Sequence, residues 1–229
     1  MISIAVLLSA AALMAGQASA PDPDQPAIDA ADLAIAAGRA EQAIATLDPV
    51  IARHDAAIGK ERRHVYCAVT TTEALLTSAL PDREKKGSVT LGPRFCTALF
   101  LKGFALFDLN RVMEARAVYQ RLVALAPFHA QYQAELGQTY RLTQDWSKML
   151  SICTNAAAVA DLVGGEQQRV QKRQAWRCMG YALTEQGRLD EAEQRYRDCL
   201  TMDPGDAVAR HELDYLAEQK ARMDRPGTR

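Results

Sequence analysis

Histidine and cysteine are the residues from which this chain could build chemistry, and three of them fall close together: His54, His64 and Cys67. On a helix His64 and Cys67 share one face a turn apart. A zinc site needs three or four ligands, and a fourth is not apparent. The five cysteines, Cys67, Cys96, Cys153, Cys178 and Cys199, are an odd number, so at least one stays free or pairs with another chain. Trp146 and Trp176 read as packing anchors and His129 as an exposed turn residue. Gly164-Gly165 lacks the preceding strand and the following Lys-Ser or Lys-Thr of a phosphate-binding loop, and no nucleophile-base signature accompanies the thiols. No catalytic residue, metal or cofactor is therefore expected. What remains is disulfides and binding surfaces.

The elements that must position these residues are helical. The segment from Gly103 to Pro127 recurs from Gly180 to Pro204, pairing Gly103 with Gly180, Ala105 with Ala182, Leu106 with Leu183, Arg111 with Arg188, Glu114 with Glu191, Ala115 with Ala192, Tyr119 with Tyr196 and Pro127 with Pro204. A glycine in a helix interior costs roughly 1 kcal/mol relative to alanine, so its recurrence argues for close approach by a neighbouring helix, with Ala115 and Ala192 as the facing small residues. Asn110 and Gly187 tolerate a left-handed backbone and end the first helix of each pair. The prolines lack an amide proton and close the second.

A helix-turn-helix unit with this glycine, turn, alanine, aromatic and proline pattern resembles the tetratricopeptide repeat, whose period is about 34 residues. Gly137 falls one period after Gly103, while Gly180 follows Gly137 by about nine residues more than a period, a surplus assigned to a polar loop over 161–169. In this middle unit Met149 and Cys153 stand where Ala115 and Tyr119 stood. Gly38-Arg39 with Ala43 repeats Gly187-Arg188 with Ala192 and marks a degenerate first pair over 27–54. The resemblance implies an all-α fold: a right-handed superhelix of antiparallel helix pairs, about ten helices and no sheet, forming one domain over 27–222. Its parts are the pair 27–54, an irregular helix plus loop over 58–95, repeats over 96–128, 129–169 and 170–204, and a capping helix over 205–222 that covers the last apolar face. A disordered leader at 21–26 and a tail at 223–229 flank it.

The first residues, Met1 to Gly16, form an apolar run followed by Ala18-Ser19-Ala20. This reads as a secretory signal peptide over 1–20, cleaved after Ala20. The run is too short to span a bilayer, which needs about 20 apolar residues. The expected location is therefore periplasmic or secreted, without stable membrane insertion after cleavage. A formal net charge of -1 argues against a nucleic-acid partner.

The irregular part reads as a helix from Glu61 to Leu80 followed by a loop from Pro81 to Pro93. Thirteen extended residues reach at most about 43 Å, enough to run back along a helix of about 28 Å. The next helix, beginning near Phe95, then starts beside the previous one. On that geometry Cys67 and Cys96 are the pair chosen for a disulfide. Cys153 and Cys199 read as buried core thiols.

The helix from Thr97 to Leu109 is apolar on two faces, and Phe100, Phe104 and Phe107 form the second, for which one pairing helix leaves no cover. In the family, the first helices of successive units line the concave surface, so the resemblance places Gln138, Arg141, Arg177 and Tyr181 on the same wall. Some members clamp a terminal carboxylate there with Lys and Asn; Phe100 and Phe104 stand where the first of those groups is expected. The resemblance implies a non-enzymatic scaffold or adaptor for a protein or peptide partner, in a bacterial envelope. The alternatives are a structural subunit of an envelope secretion or assembly complex, and a redox or metal-dependent protein around Cys67, Cys96 and His64. The oligomeric state is left open.

Overall fold

The structure is a computed structural model that describes residues 22–81 and 86–223. Among the described residues it contains ten helices and a two-stranded sheet. Four antiparallel pairs follow one another: α1 (Gln25–Ala36) with α2 (Ala40–Ile58), α4 (Pro93–Asp108) with α5 (Val112–Leu125), α6 (Ala130–Arg141) with α7 (Trp146–Val163), and α8 (Gly165–Glu185) with α9 (Leu189–Met202). The helix α10 (Ala207–Met223) closes the stack. Between the first two pairs lie β1 (His64–Cys67), α3 (Thr71–Ser78) and β2 (Ser88–Leu91).

One turn joins the helices of all four pairs. A single residue at each adopts a left-handed backbone: Gly38, Asn110, Gln144 and Gly187, with φ of 71°, 58°, 56° and 73°. The next amide in each case reaches back to a carbonyl in the last turn: Arg39 to Ala34 at 2.8 Å, Arg111 to Leu106 at 2.9 Å, Asp145 to Tyr140 at 3.1 Å and Arg188 to Leu183 at 2.9 Å. This is a Schellman closure, which satisfies carbonyls that a helix end otherwise leaves without partners. Gln144 gives up the residue type that the position favours, so the middle unit lacks the Gly or Asn that marks this turn in the other three pairs.

The mid-helix glycines make room for side chains of the paired helix. A Cβ on Gly103 would lie 2.7 Å from the Tyr119 ring, and one on Gly180 2.7 Å from the Tyr196 ring. The helices in contact are the ones expected, but tyrosine and not Ala115 or Ala192 is the nearest neighbour. In the middle pair a Cβ on Gly137 would lie 2.6 Å from Cys153 Sγ and 3.2 Å from Cys178 Sγ, so a disulfide takes the place of the tyrosine. One cluster of buried side chains runs from Ile28 to Ala182, and a second joins Leu183, Tyr196 and Cys199 to Ala209 and Leu216 of α10.

Several expectations are corrected. The helix assigned to Glu61–Leu80 is instead β1 followed by α3, and the loop assigned to Pro81–Pro93 contains β2, so the fold does carry a sheet. The strands pair in parallel, His64 opposite Ser88 and Cys67 opposite Leu91. Valine and tyrosine in β1 favour a pleated surface. A capping box starts α3 at Thr71: the Thr70 hydroxyl accepts the Glu73 amide at 3.1 Å, while the Glu73 carboxylate accepts the amides of Val69 and Thr70.

The segment 161–169 is not a loop either. Two glycines with positive φ, Gly164 and Gly165, break the chain between α7 and α8, and the extra residues lengthen those helices to 18 and 21 residues, against 14 in α5 and α9.

The leader assigned to 21–26 becomes structured at its end, because α1 begins at Gln25. Asp24 just before it is buried and ion-paired to Arg53, and it accepts His54 Nε2 at 2.7 Å. Burial opposes its charge, but the hydrogen bonds and charges of His54 and Arg53 outweigh that and hold the carboxyl below its usual range. His129 is buried, not exposed, and stacks on Tyr132 with ring centroids 3.7 Å apart. Burial pushes its pKa down to about 4, so the ring is neutral at pH 7. The signal segment 1–20, the charges at 82–85 and most of the tail lie outside the described residues.

Candidate functional site

Two cavities open side by side on the wall made by α4, α6 and α8. The first, of about 330 Å³, has Phe104, Phe107 and Asp108 of α4 on one side, Glu135, Gln138 and Arg141 of α6 on the other, and Tyr119 and Leu142 completing its lining. The second, of about 370 Å³, lies between α6 and α8 and is lined by Gln138, Arg141, Gln174, Arg177 and Tyr181, with Val208 and Glu212 contributed by α10. Gln138 and Arg141 line both, so the two cavities adjoin in one row along the wall, a trough with these two side chains at its middle. Its α4 end is aromatic and its α8 end polar.

Six of the seven residues that sequence reasoning placed on this wall line the trough: Phe104, Phe107, Gln138, Arg141, Arg177 and Tyr181. Phe100 does not. Its ring packs against Tyr132 and Tyr119, with centroids 5.4 and 6.3 Å away, and it belongs to the rim of the core. Phe104 is the phenylalanine left open, at 38% exposure.

The two arginines differ in what already holds them. Arg177 Nη1 donates to both carboxylate oxygens of Asp206, at 3.2 and 3.1 Å. Asp206 is buried, also pairs with Arg173, and accepts the Ala209 amide at the start of α10. Arg177 therefore helps to dock the capping helix, and its charge is already matched. Arg141 lies over the Tyr181 ring, 4.6 Å from its centroid, and Tyr181 in turn meets Trp146 edge-on at 5.9 Å. Among the described residues no carboxylate lies within ion-pair reach of Arg141. It is the arginine of this wall free to meet an anionic group.

Glu135 escaped sequence reasoning. It stands one turn before Gln138 on α6, in the stretch Tyr132 to Gly137 where all its neighbours are buried. A charged side chain between buried residues three positions from a proposed wall residue was the available signal. Its carboxylate accepts Gln174 Nε2 at 3.0 Å, and burial raises its pKa while that hydrogen bond acts against the rise.

The cysteines do not form a reactive centre. Cys67 and Cys96 are bonded to each other and buried, with Cα atoms 6.3 Å apart. They meet because Cys67 ends β1, not because two helix starts coincide. Cys153, read as a core thiol, is bonded to Cys178 across α7 and α8, Cα to Cα 5.9 Å. Cys199 remains a buried thiol; burial, with a smaller push from the Asp206 charge, takes its pKa up to about 12, so it is not a nucleophile at pH 7. His54 serves Asp24 and Cys67 is in a disulfide, so neither is free to hold zinc as the pair with His64 would require. Among the described residues no group of three or more His, Cys, Asp and Glu is placed to hold a metal. A further cavity of about 410 Å³ between α7, α8 and α9 is lined by charges that already pair, as Arg188 does with Glu191 at 2.7 Å.

Tetratricopeptide-repeat family models match residues 100–148 and 173–213. No curated protein sequence matches the chain. Among solved structures the chain is similar to MamA from Desulfovibrio magneticus, at 16% identity and a TM-score of 0.58, covering 87% of this chain and 86% of that one. It is similar to the tetratricopeptide-like repeats of a protein assigned as a Podosopora anserina kinesin light chain, at 12% identity and 0.57, covering 89% and 90%. The first tetratricopeptide domain of human RPAP3 aligns at 20% identity and 0.51, covering 59% of this chain and all of that domain. Those identities speak for the fold alone. The two matched segments carry tetratricopeptide repeats, and the same left-handed turn in all four pairs with a final helix closing the stack gives the chain a tetratricopeptide-like solenoid fold.

Proposed function

We propose that this protein is a non-enzymatic scaffold that holds an extended segment of a protein or peptide partner along α4, α6 and α8. The observation that carries this reading is that two cavities adjoin along one wall: both are lined by Gln138 and Arg141, with Phe104 and Phe107 on the far side of one and Gln174 and Tyr181 on the far side of the other. Aromatic and arginine side chains of this kind are the types that dominate binding energy at protein interfaces. A photo-crosslinking residue at Gln138, inside the trough, is expected to give partner adducts in cells. The same residue at Met113 on α5, which is 64% exposed and belongs to the second helix of its pair, is expected to give none. Adducts from Met113 and none from Gln138 would move binding to the opposite face.

We further propose that it works in a bacterial envelope after export. The apolar start with Ala18-Ser19-Ala20 supports this. So do two disulfides, which persist in an oxidising compartment and are rare in a reducing one. No helix of the described residues is long and apolar enough to cross a membrane. The intact mass of protein from the periplasmic fraction is expected to start at Pro21; full-length chain with five reduced thiols in the cytosol would overturn the assignment.

A further inference from the structure

We propose that the cavity between α4 and α6 receives a basic side chain of the partner, arginine or lysine, its aliphatic stem on Phe104, Phe107 and Leu142 and its cationic head at Glu135 and Asp108. This rests on the reading that the trough binds an extended segment, and it adds what the segment must carry. Of the eight lining residues, Phe104, Phe107 and Leu142 are apolar and Glu135 and Asp108 are carboxylates, which match the two parts of a long basic side chain; Tyr119, Gln138 and Arg141 complete the lining. Leu142 is 51% exposed and Phe104 38%, so the apolar part is open to an occupant. Among the described residues neither carboxylate is paired with a cation: Glu135 has the neutral amide of Gln174 at 3.0 Å, and Asp108 makes no ion pair.

Both carboxylates act at one place. Burial is the main cause that raises the pKa of the Tyr119 phenol, and the charges of Glu135 and Asp108 add to it from opposite walls of the cavity. Arg141, which lines this cavity and its neighbour, sets its guanidinium over the Tyr181 ring and pairs with neither carboxylate. A carboxylate withdrawn from water and left without a cation gains most from a charge-assisted hydrogen bond. An acidic or terminal carboxylate set between Glu135 and Asp108 would meet two like charges, which leaves an anionic group only the Arg141 side of the cavity.

The test uses peptides selected from a random phage-displayed dodecapeptide library on the whole mature protein. The selected peptides are expected to carry lysine or arginine at one fixed position beside apolar residues. Glu135→Gln is expected to weaken the best of them about tenfold, as is norleucine in place of the peptide's basic residue, with the two changes together costing no more than either alone. Asp108→Asn, on an exposed residue, is expected to weaken binding less and in the same direction; circular dichroism and the melting temperature of both variants establish that they fold. Peptides that crosslink to Gln138 but carry no basic residue, or whose affinity Glu135→Gln and Asp108→Asn leave unchanged, overturn the basic pocket and leave the trough standing. If no peptide is selected, or those selected crosslink only outside the trough, both readings fall together.

Discussion

Removing the Cys153–Cys178 disulfide by Cys→Ala at both positions is expected to lower the stability of the oxidised protein by about 3–4 kcal/mol, and removing Cys67–Cys96 by a similar amount. The bonds close segments with sequence separations of 25 and 29, and cross-links of that span restrict the unfolded chain by about that much. Alanine is the replacement of choice because all four sites are buried, where a serine hydroxyl would need a partner. The local consequences differ. Cys153–Cys178 ties α7 to α8, the joint between two repeat units, so its loss is expected to uncouple the α8–α10 end from the rest. Cys67–Cys96 pins the strand end of the insertion to α4, so its loss is expected to speed amide exchange in β1 and β2 while the repeats stay closed. Denaturation with and without reductant measures both. A wild-type midpoint that reductant does not move would show that neither bond contributes.

The repeats were legible because the physics that builds them is local. A left-handed turn, an interior glycine and a closing proline each constrain a residue type at a fixed offset, and the offsets recur. The middle unit blurred where a different residue solved the same problem: Gln144 holds the turn at φ 56°, and Cys153 with Cys178 fills the space of a tyrosine. The insertion was misread because a short run of apolar residues from Val65 to Leu76 does not distinguish strand from helix by period. Thr70 and Glu73 carried the missing signal. A capping box marks a helix start, and a helix that starts at Thr71 cannot also cover His64 to Cys67. The glycine pair at 164–165 reads as part of a loop because glycines interrupt helices, and they do; the interruption is a single joint between two long helices.

That α4, α6 and α8 share a wall is what the resemblance implies of the first helices of successive units, and residues of these three helices do line the two adjoining cavities. What the sequence could not supply was the set of tertiary partners. Phe100 was grouped with Phe104 and Phe107 by spacing, yet Tyr132 from the next unit covers it, while Phe104 one turn on meets no such ring. Arg177 looked like a binding residue until Asp206, on the turn before α10, took its charge. Glu135 went unnoticed for the opposite reason: its significance lies in a missing cation, which no linear pattern displays.

Gly103→Ala separates packing from propensity because the two act in opposite directions. Helix propensity alone favours alanine by about 1 kcal/mol. The new Cβ would sit 2.7 Å from Tyr119 Cε1 and 2.8 Å from Cζ, in a site where the ring is buried, and overpacking of this kind costs roughly 1–3 kcal/mol. The buried ring has open space only on the side of the α4–α6 cavity and must shift as a rigid body to reach it, so the packing cost is expected to win and the denaturation midpoint to fall. Gly180→Ala meets Tyr196 at the same 2.7 Å and is expected to behave alike. The first pair shows what relieves the conflict. Ala31 and Leu47 hold the offsets from Gly38 that Gly103 and Tyr119 hold from Asn110, and both are completely buried, so an alanine is accommodated where its partner is a leucine. Tyr119→Leu alone should destabilise by leaving a cavity, whereas in the Gly103→Ala background it should cost less, because the new methyl fills part of that space. The two changes are in contact and are therefore expected to couple favourably, by about 1 kcal/mol or more. Gly103→Ala raising the midpoint, or strict additivity with Tyr119→Leu, would mean that the glycine is there for the backbone and not for the ring.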